Sequence, residues 1–338
     1  MRRIAVMGSG SWGTGFGMVL ADAGGEVAMW AREPEVVEDI NHRHHNDAYH
    51  EGIELPPSMW ASQEVGQVLQ GAQIVVLAIP SQTLRDNLQA WKEMIPADAT
   101  LVSLMKGIEL GTVMRMSQVI AEVTGFPESQ VAVVSGPNLA REVAQRQPAA
   151  TTVACADEER AQQLAEATTT AYFRPYYTTD IIGAELGGAV KNVIALANGM
   201  AYGLGFGENA QASLITRGLA EMTRLGAACG ANELTFLGLA GIGDLIATCT
   251  SSLSRNRTFG ENLGRGLTVD ETIAKTKQTC EGVKSCQSIL DLARRNGVDM
   301  PITEQVVQVV HDGMAPREML YNLMSRDPKA EQGHDGLS

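Results

Sequence analysis

A lysine lies in the middle of an otherwise apolar stretch of this chain. Residues 183–199, GAELGGAVKNVIALANG, are apolar or small at almost every position around Lys191. As a helix this segment is apolar on nearly every face, so we expect it to be buried, and a buried ammonium needs a partner or a function. Burial lowers the pKa of a lysine, which lets it give or take a proton near neutral pH. The alternative is a structural lysine that reaches solvent from the helix edge.

Two later segments carry polar groups that could form the surroundings of Lys191. Asp244 lies in a glycine-rich apolar turn, residues 238–245, where a carboxylate is unfavourable unless it meets a cation. Ser254, Arg255 and Asn256 bring hydroxyl, guanidinium and amide donors together at a predicted helix start. This combination suits a phosphate, although an ordinary helix cap beside a basic surface patch remains an alternative.

Two further polar segments follow predicted strands. Lys106 follows the run 100–104 after one intervening residue, and the sequence SGPNLA at 135–140 comes directly after the run 131–134. Ligands of open α/β sheets bind beyond the carboxyl ends of the strands. Both segments are therefore candidates for a ligand site.

The elements that would position these groups begin with a glycine-rich pattern at the N-terminus. An apolar strand from residue 4 runs into Gly8, Gly10 and Gly13, and a helix follows as far as Gly24. This is the dinucleotide-binding fingerprint in its required context, strand then G-x-G-x-x-G then helix. Gly8 allows the tight turn, Gly10 lets the backbone approach a pyrophosphate, and Gly13 lets the helix pack closely on the strand.

The second predicted strand, residues 26–30, bears on the choice of coenzyme. After it comes Arg32, at the place where an NAD-selective site often has a carboxylate for the ribose 2′-hydroxyl. An arginine there suits the 2′-phosphate of NADP. A solvated loop arginine is the alternative, and the adjacent Glu33 could serve a ribose hydroxyl. We expect NADPH to be favoured, with NADH the second possibility.

The remaining pattern predicts an α/β protein with an N-terminal Rossmann domain, built on a doubly wound, mainly parallel sheet, followed by an all-α domain. Beyond the first two strands, the predicted strands are 73–80, 100–104, 131–134 and 151–154, with a helix over 81–94. From residue 180 onward only helices and turns are predicted. We expect a dinucleotide-binding domain over 1–180, a helical substrate domain over 181–326 and a polar tail over 327–338.

Composition limits the binding partners and the cellular location that we expect for this protein. The 338 residues are 44% hydrophobic and 19% charged, and the net charge of −13 disfavours nucleic acid or an anionic membrane surface as the main partner. No apolar run reaches the length of a membrane span, and the N-terminal apolar stretch is interpreted as a strand of a cytoplasmic protein rather than a signal peptide. Five scattered cysteines without a C-x-x-C pair are expected to be reduced thiols.

A histidine-rich segment, His42 to His50, raises the question of a metal site. Its histidines are adjacent rather than spaced for one helix face, and no cysteine is near them. We therefore predict no metal and an exposed connection.

Taken together and in order, the motifs resemble the bacterial, soluble type of NAD(P)-dependent glycerol-3-phosphate dehydrogenase. The resemblance runs from residue 4 to about residue 325. It is carried by residues 8–14, 106–107, 135–140, 185–186 with 190–192, 209–210 with 214–218, 241–245, 248–250, 254–256 and 281–282. The family implies reversible reduction of dihydroxyacetone phosphate to sn-glycerol 3-phosphate, a headgroup precursor of phospholipids.

The resemblance also implies roles for individual residues. Lys191 matches the catalytic lysine, and Lys106 matches a lysine that touches both substrate and coenzyme. Further substrate contacts are implied for Gly136, Asn138, Asp244, Ser254, Arg255 and Asn256, and coenzyme contacts for Ser11, Trp12, Arg32, Ala140, Arg255 and Glu281, beside Gly8, Gly10 and Gly13. In the implied mechanism Lys191 protonates the oxygen that hydride transfer leaves negative, while Asp244 orients the lysine.

Two other functions stay open at this point. A dehydrogenase of carboxylate β-hydroxyacids can share the two-domain layout and the helix-borne lysine. A non-catalytic NADP sensor could keep the fold, although it would have no use for a proton donor beside the nicotinamide. The sequence leaves a homodimer open.

Overall fold

Residues 3–7 form an inner strand of an eight-stranded sheet. The computed structural model describes residues 2–276 and 280–327, so the predicted tail lies outside the described residues apart from Asp327. The strands are β1 Arg3–Met7, β2 Glu26–Trp30, β3 Met59–Ser62, β4 Ile74–Leu77, β5 Thr100–Ser103, β6 Val131–Ser135, β7 Ala149–Cys155 and β8 Phe173–Thr178. Their order in the sheet is β3-β2-β1-β4-β5-β6-β7-β8, and every neighbouring pair is parallel except β6 with β7.

Alternating side chains of the inner strands fill two separate apolar layers. Ile4 and Val6 of β1 belong to the layer on one face, whereas Ala5 and Met7 belong to the layer on the other. Successive side chains of a strand point to opposite faces, so a strand covered on both sides must be apolar throughout. This explains why residues 4–7 of β1 and all four residues of β4 are apolar.

Helices cover both faces of this sheet. They are α1 Ser11–Asp22, α2 Pro34–Glu38, α3 Asp47–His50, α4 Val65–Leu69, α5 Leu84–Trp91, α6 Met116–Thr124, α7 Ala140–Ala144 and α8 Glu158–Ala167. Short 3₁₀ turns at Ser81–Thr83 and Lys92–Met94 extend α5, in place of the single helix predicted over 81–94.

Past β8 the described chain is helical. The helices are α9 Ile181–Gly203, α10 Glu208–Ala228, α11 Asp244–Thr250, α12 Arg255–Gly264, α13 Val269–Lys275, α14 Glu281–Arg295, α15 Pro301–His311 and α16 Pro316–Met324. A 3₁₀ turn at Glu233–Leu237 and a π turn at Leu239–Gly243 precede α11.

Helix α9 is the core of this second part, and glycines bring α12 unusually close to it. Residues 183–201 of α9 are all buried. A Cβ on Gly199 would collide with the Arg257 carbonyl oxygen, and one on Gly260 would collide with the Leu196 carbonyl oxygen. The two backbones therefore touch, with the start of α12 beside the second half of α9, and Asn256 of α12 reaches Asn192, the neighbour of Lys191, through its side chain.

The predicted fold class is confirmed, with differences in detail. Strands β3 and β8 were not predicted, since the four residues of β3 alternate between buried and half-buried positions and β8 contains a proline and exposed tyrosines. The prediction of an exposed connection for the histidine-rich segment is wrong in part, although residues 41–43 are exposed. It forms a π-helical turn, Asp39–Arg43, followed by α3, and Asn46 and His50 are fully buried.

Candidate active site

A cleft of about 820 Å³ opens between the carboxyl edge of the sheet and the helical part. It lies where β1 has β2 on one side and β4 on the other, the point at which open sheets of this kind bind nucleotides. Of the residues singled out in the sequence, the cleft is lined by Gly8, Gly10, Ser11, Trp12, Gly13, Arg32, Lys106, Asn138, Ala140, Lys191, Ser254, Arg255, Asn256 and Glu281. Gly136 and Asp244 lie behind the wall, where both contact Lys106.

The glycine-rich loop has the geometry of a pyrophosphate site. Gly8 has φ +130°, which favours glycine, and a Cβ on Gly13 would collide with the Gly8 carbonyl oxygen. A Cβ on Gly10 would meet no protein atom within 4 Å, so the cleft leaves open space above the start of α1. The indole Nε1 of Trp12 is buried without a hydrogen-bond partner among the described residues. These features fit a bound dinucleotide.

Two lysines from different parts of the chain share one buried carboxylate. Lys191 Nζ donates to Asp244 Oδ1 at 2.5 Å and to Thr248 Oγ1 at 2.6 Å. Lys106 Nζ donates to Asp244 Oδ2 at 2.6 Å and to the Gly136 carbonyl at 3.1 Å. Asp244 therefore holds both ammonium groups at the cleft wall.

Burial and the neighbouring charges shift the pKa values of Lys191 and Asp244. Burial is the main cause that lowers the pKa of Lys191 to about 8; the Asp244 carboxylate opposes this and Lys106 adds to it. Burial by itself would raise the pKa of Asp244, but the two ammonium groups outweigh it and hold that pKa below its ordinary value. Lys191 thus titrates close to physiological pH beside an ionised carboxylate.

A chain of amides connects the start of α12 with α9 and the loop after β5. Asn256 Oδ1 accepts from the Gly282 backbone N–H at 2.9 Å, and Asn256 Nδ2 donates to Asn192 Oδ1 at 2.9 Å. Asn192 Nδ2 in turn donates to the Lys106 carbonyl at 3.2 Å. The amide of Asn256 is therefore held with its oxygen toward Gly282 and its N–H₂ group toward Asn192, which also lines the cleft.

The arginines that line the cleft are exposed. Arg32 pairs with Glu33 at 3.3 Å. Arg255 is the first residue of α12. The preceding residue, Ser254, caps this helix, because its side chain accepts from the Arg257 N–H at 3.2 Å. The predicted helix cap is therefore present together with the cleft-lining arginine.

Glu281 links the two parts of the chain across the cleft. Its Oε2 accepts from the Ser81 hydroxyl at 2.5 Å. A second link lies deeper, where buried Glu185 accepts from the Ser117 N–H at 2.8 Å and from Arg115 Nη1 at 2.5 Å. These contacts fix the helical part against the sheet.

The sequence analysis assigned no role to several residues of the cleft wall, although Thr248 and Asn192 lie in segments that carried the family resemblance. Thr248 carries the second acceptor for Lys191, and it lies four residues after Asp244 on the same helix face, a spacing that could have identified it. Asn192, adjacent to Lys191, was assigned no role. Tyr49 and Arg141 also line the cleft, and no motif pointed to them.

Other kinds of site were also considered. Across the described ranges, no three His, Cys, Asp or Glu side chains come together in a way that could hold a metal ion. The five cysteines are free thiols. In the same ranges, no helix combines the length and apolarity that a bilayer crossing requires.

The fold and this cleft define a two-domain dehydrogenase that uses a nicotinamide coenzyme. Residues 3–161 match the family profile described as NAD-dependent glycerol-3-phosphate dehydrogenase N-terminus, and residues 180–321 match the corresponding C-terminus profile. The chain belongs to the NAD-dependent glycerol-3-phosphate dehydrogenase family, which confirms the resemblance drawn from the motifs.

Individual relatives agree with this assignment. The chain is 61% identical over 330 residues to glycerol-3-phosphate dehydrogenase [NAD(P)+] of Streptomyces griseus, covering 98% of each chain. It is 59% identical to the enzyme of the same name from Thermobifida fusca, covering 98% of this chain and 99% of that one. The crystal structure of glycerol-3-phosphate dehydrogenase from Coxiella burnetii superposes with a TM-score of 0.90 at 36% identity, covering 96% of this chain and 98% of that one.

Proposed function

We propose that this oxidoreductase uses NADPH in preference to NADH to reduce dihydroxyacetone phosphate to sn-glycerol 3-phosphate. The observation that carries the proposal is Lys191, buried at the cleft wall with its pKa lowered to about 8 and with Asp244 and Thr248 as partners. An ammonium has three N–H donors, and two of them are used by these partners. The third is the group that we assign to the C2 oxygen of the substrate.

A bound nicotinamide coenzyme supplies the hydride for the C2 carbonyl carbon. As negative charge develops on the C2 oxygen, the Lys191 ammonium stabilises it and donates a proton to it, a contribution on the order of 10²–10⁴-fold. Asp244 stays ionised throughout and fixes the lysine. In the oxidative direction, neutral Lys191 takes the proton of the C2 hydroxyl.

The substrate phosphate is assigned to the start of α12. Arg255 offers a forked guanidinium, and Asn256 offers the N–H₂ group of an amide whose orientation is set by Gly282 and Asn192. Lys106 also lines the cleft and adds positive charge, which a chain of net charge −13 needs for a doubly anionic substrate. Gly136 acts through Lys106, and Asn138 and Ser254 complete the wall.

The coenzyme is assigned to the glycine-rich loop and its neighbours. Its pyrophosphate lies at Gly8, Gly10, Ser11 and Gly13, where the free N–H groups of α1 point. Trp12, Ala140 and Glu281 line the path toward the nicotinamide. The preference for NADPH rests on Arg32, whose guanidinium suits a 2′-phosphate, and the adjacent Glu33 leaves NADH as the weaker coenzyme.

The division of labour follows the change from strands to helices. Strand β8 ends at Thr178 and α9 begins at Ile181. We assign coenzyme binding to residues 1–180 and most substrate contacts to residues 181–326, and we place the reaction in the cytoplasm.

The test is an initial-rate assay of the purified protein that follows loss of reduced coenzyme. Dihydroxyacetone phosphate is offered with NADPH and with NADH separately, and unphosphorylated dihydroxyacetone is the control substrate. We expect a higher kcat/KM with NADPH, and very slow turnover of the control. Equal rates with both ketones would contradict the phosphate site, and equal kcat/KM for both coenzymes would contradict the NADPH preference.

A further inference from the structure

The segment that carries α3 lies directly beneath the glycine-rich loop. Asn46 and His50 are both fully buried, and the Asn46 carbonyl accepts from the His50 N–H at 2.8 Å. One turn of chain therefore holds the two side chains together. No role in coenzyme binding follows for either of them from the motifs discussed above.

Both side chains donate to carbonyl oxygens of the loop. Asn46 Nδ2 donates to the Ser9 carbonyl at 2.9 Å and to Thr14 Oγ1 at 2.9 Å, and Thr14 Oγ1 donates to the same Ser9 carbonyl at 3.1 Å. His50 Nε2 donates to the Ser11 carbonyl at 2.7 Å. These contacts hold the Ser9–Gly10 and Ser11–Trp12 peptide units in place.

These carbonyls belong to the peptide units that determine where the N–H groups of the loop point. Because a peptide unit is planar, fixing the Ser9 carbonyl fixes the direction of the Gly10 N–H, and fixing the Ser11 carbonyl fixes that of the Trp12 N–H. Gly10 is free to rotate more widely than any other residue type, so a loop built on it needs external restraint. Asn46 and His50 supply that restraint.

We propose that Asn46 and His50 are positioning residues that hold the glycine-rich loop in its pyrophosphate-binding conformation. The proposal rests on the proposed function only in taking a nicotinamide dinucleotide as the ligand. Neither side chain lines the cleft, so neither touches the coenzyme. Their effect is to lower the conformational freedom that the loop would otherwise lose on binding.

His50 is suited to this role in its neutral form. Its Nε2 carries the proton because the Ser11 carbonyl can only accept, and its Nδ1 is buried without a partner in the described part of the chain. Burial is the main cause that lowers the pKa of His50, the Ser11 carbonyl opposes it, and nearby Arg141 lowers it further. Burial therefore favours the neutral imidazole, which donates to the Ser11 carbonyl from Nε2.

The test compares the binding of NADPH and NADH to the full chain by fluorescence titration. His50→Leu removes the donor, and we expect the Kd for both coenzymes to rise about fivefold to tenfold, as for loss of one well-formed hydrogen bond. His50→Gln can place its Nε2 close to the position of the imidazole Nε2, so we expect its Kd to stay within about twofold of the parent. In the rate assay the loss is expected in the KM for the coenzyme, with little change in kcat.

Asn46→Ser is the second variant. We expect it, too, to raise the Kd for both coenzymes, and it provides the test if His50→Leu does not fold. Thr168→Val is the matched control, because Thr168 is also fully buried and its hydroxyl donates to the Leu164 carbonyl at 2.9 Å in α8. We expect this control to lower the thermal midpoint without changing either Kd.

Parent-like coenzyme binding by both His50→Leu and Asn46→Ser would overturn the proposal. So would a rise in Kd for His50→Gln equal to that for His50→Leu. Failure of the proposed function is recognised separately, since the parent would then bind NADPH or NADH without reducing dihydroxyacetone phosphate.

Discussion

Replacing Asp244 with asparagine removes the single carboxylate that Lys191 and Lys106 share. The shape of the side chain is kept, but the negative charge 2.5 Å from Lys191 Nζ is lost. That charge raises the pKa of Lys191 against the lowering by burial and by Lys106. We therefore expect the Asp244→Asn variant to hold Lys191 as a neutral amine at pH values where the parent holds it as an ammonium.

The size of the effect follows from Coulomb's law. At 2.5 Å and an effective dielectric constant of about 20, the attraction is at most about 7 kcal/mol. Relaxation of the site and the dipole of the new amide offset part of this loss. With a third of it left, about 2 kcal/mol in the free energy of ionisation of Lys191, the pKa of Lys191 falls by about 1.5 units. Starting from about 8, Lys191 would then titrate near pH 6.5. At pH 7.5 the ammonium fraction would drop from about three quarters to about a tenth.

The assay is the pH dependence of kcat for reduction of dihydroxyacetone phosphate at saturating NADPH. Reduction needs the ammonium, so the parent rate is expected to be flat at lower pH and to fall as the pH rises through about 8. In Asp244→Asn this falling limb moves to lower pH. Lys106→Met is the opposite control: removing a like charge raises the pKa of Lys191, so its limb moves to higher pH, whatever is lost in substrate affinity.

Two results would refute this reasoning. An unchanged limb in both variants would show that the charges of Asp244 and Lys106 do not set the ionisation that controls the rate. Persistence of the same limb in Lys191→Met would assign that ionisation to another group. Thermal midpoints and coenzyme Kd values of each variant separate these outcomes from misfolding.

Four further predictions concern single side chains. Lys191→Met is expected to lower kcat at least 100-fold, about the lower limit for loss of a general acid, while calorimetry shows a folded protein because Asp244 keeps Lys106 at 2.6 Å; turnover within tenfold of the parent would exclude Lys191 as the acid. Arg32→Ala is expected to raise the KM for NADPH about tenfold or more and that for NADH little, since only the former loses a charge-assisted contact; equal changes would exclude the 2′-phosphate assignment. Arg255→Ala is expected to raise the KM for dihydroxyacetone phosphate by at least about tenfold, with Arg255→Lys recovering only part because it lacks the fork; full activity of the alanine variant would contradict the phosphate site. Burial raises the pKa of Glu221 from 4.5 to about 7, so its contribution to stability is greatest below pH 4.5 and is lost as the pH rises through about 7; denaturant titrations of Glu221→Gln should lack this part of the pH dependence, and an identical pH profile would contradict it.

Much of the fold could be read from local pattern. The strands β1 and β4 are buried on both faces, so their apolar runs are uninterrupted and visible in the sequence. The glycine-rich loop is equally local, since strand, turn and helix start follow one another within about a dozen residues. The burial of Lys191 was also predictable, because an apolar helix such as α9 leaves no face for solvent. Strands β3 and β8 escaped prediction because their partners in the sheet, and not their own composition, make them strands.

Only the tertiary structure decided what surrounds these residues. The sequence by itself indicated that Lys191 needed a partner or a function and that Asp244 needed a cation. It could not show that Lys106 would share the same carboxylate, because these groups meet through contacts 138 and 53 positions apart. The support of the loop by Asn46 and His50 is of the same kind, since it depends on contacts between residues 37 and 39 positions apart. Local spacing determines which faces a helix or strand must bury; which distant polar groups satisfy one another is decided only when the elements pack.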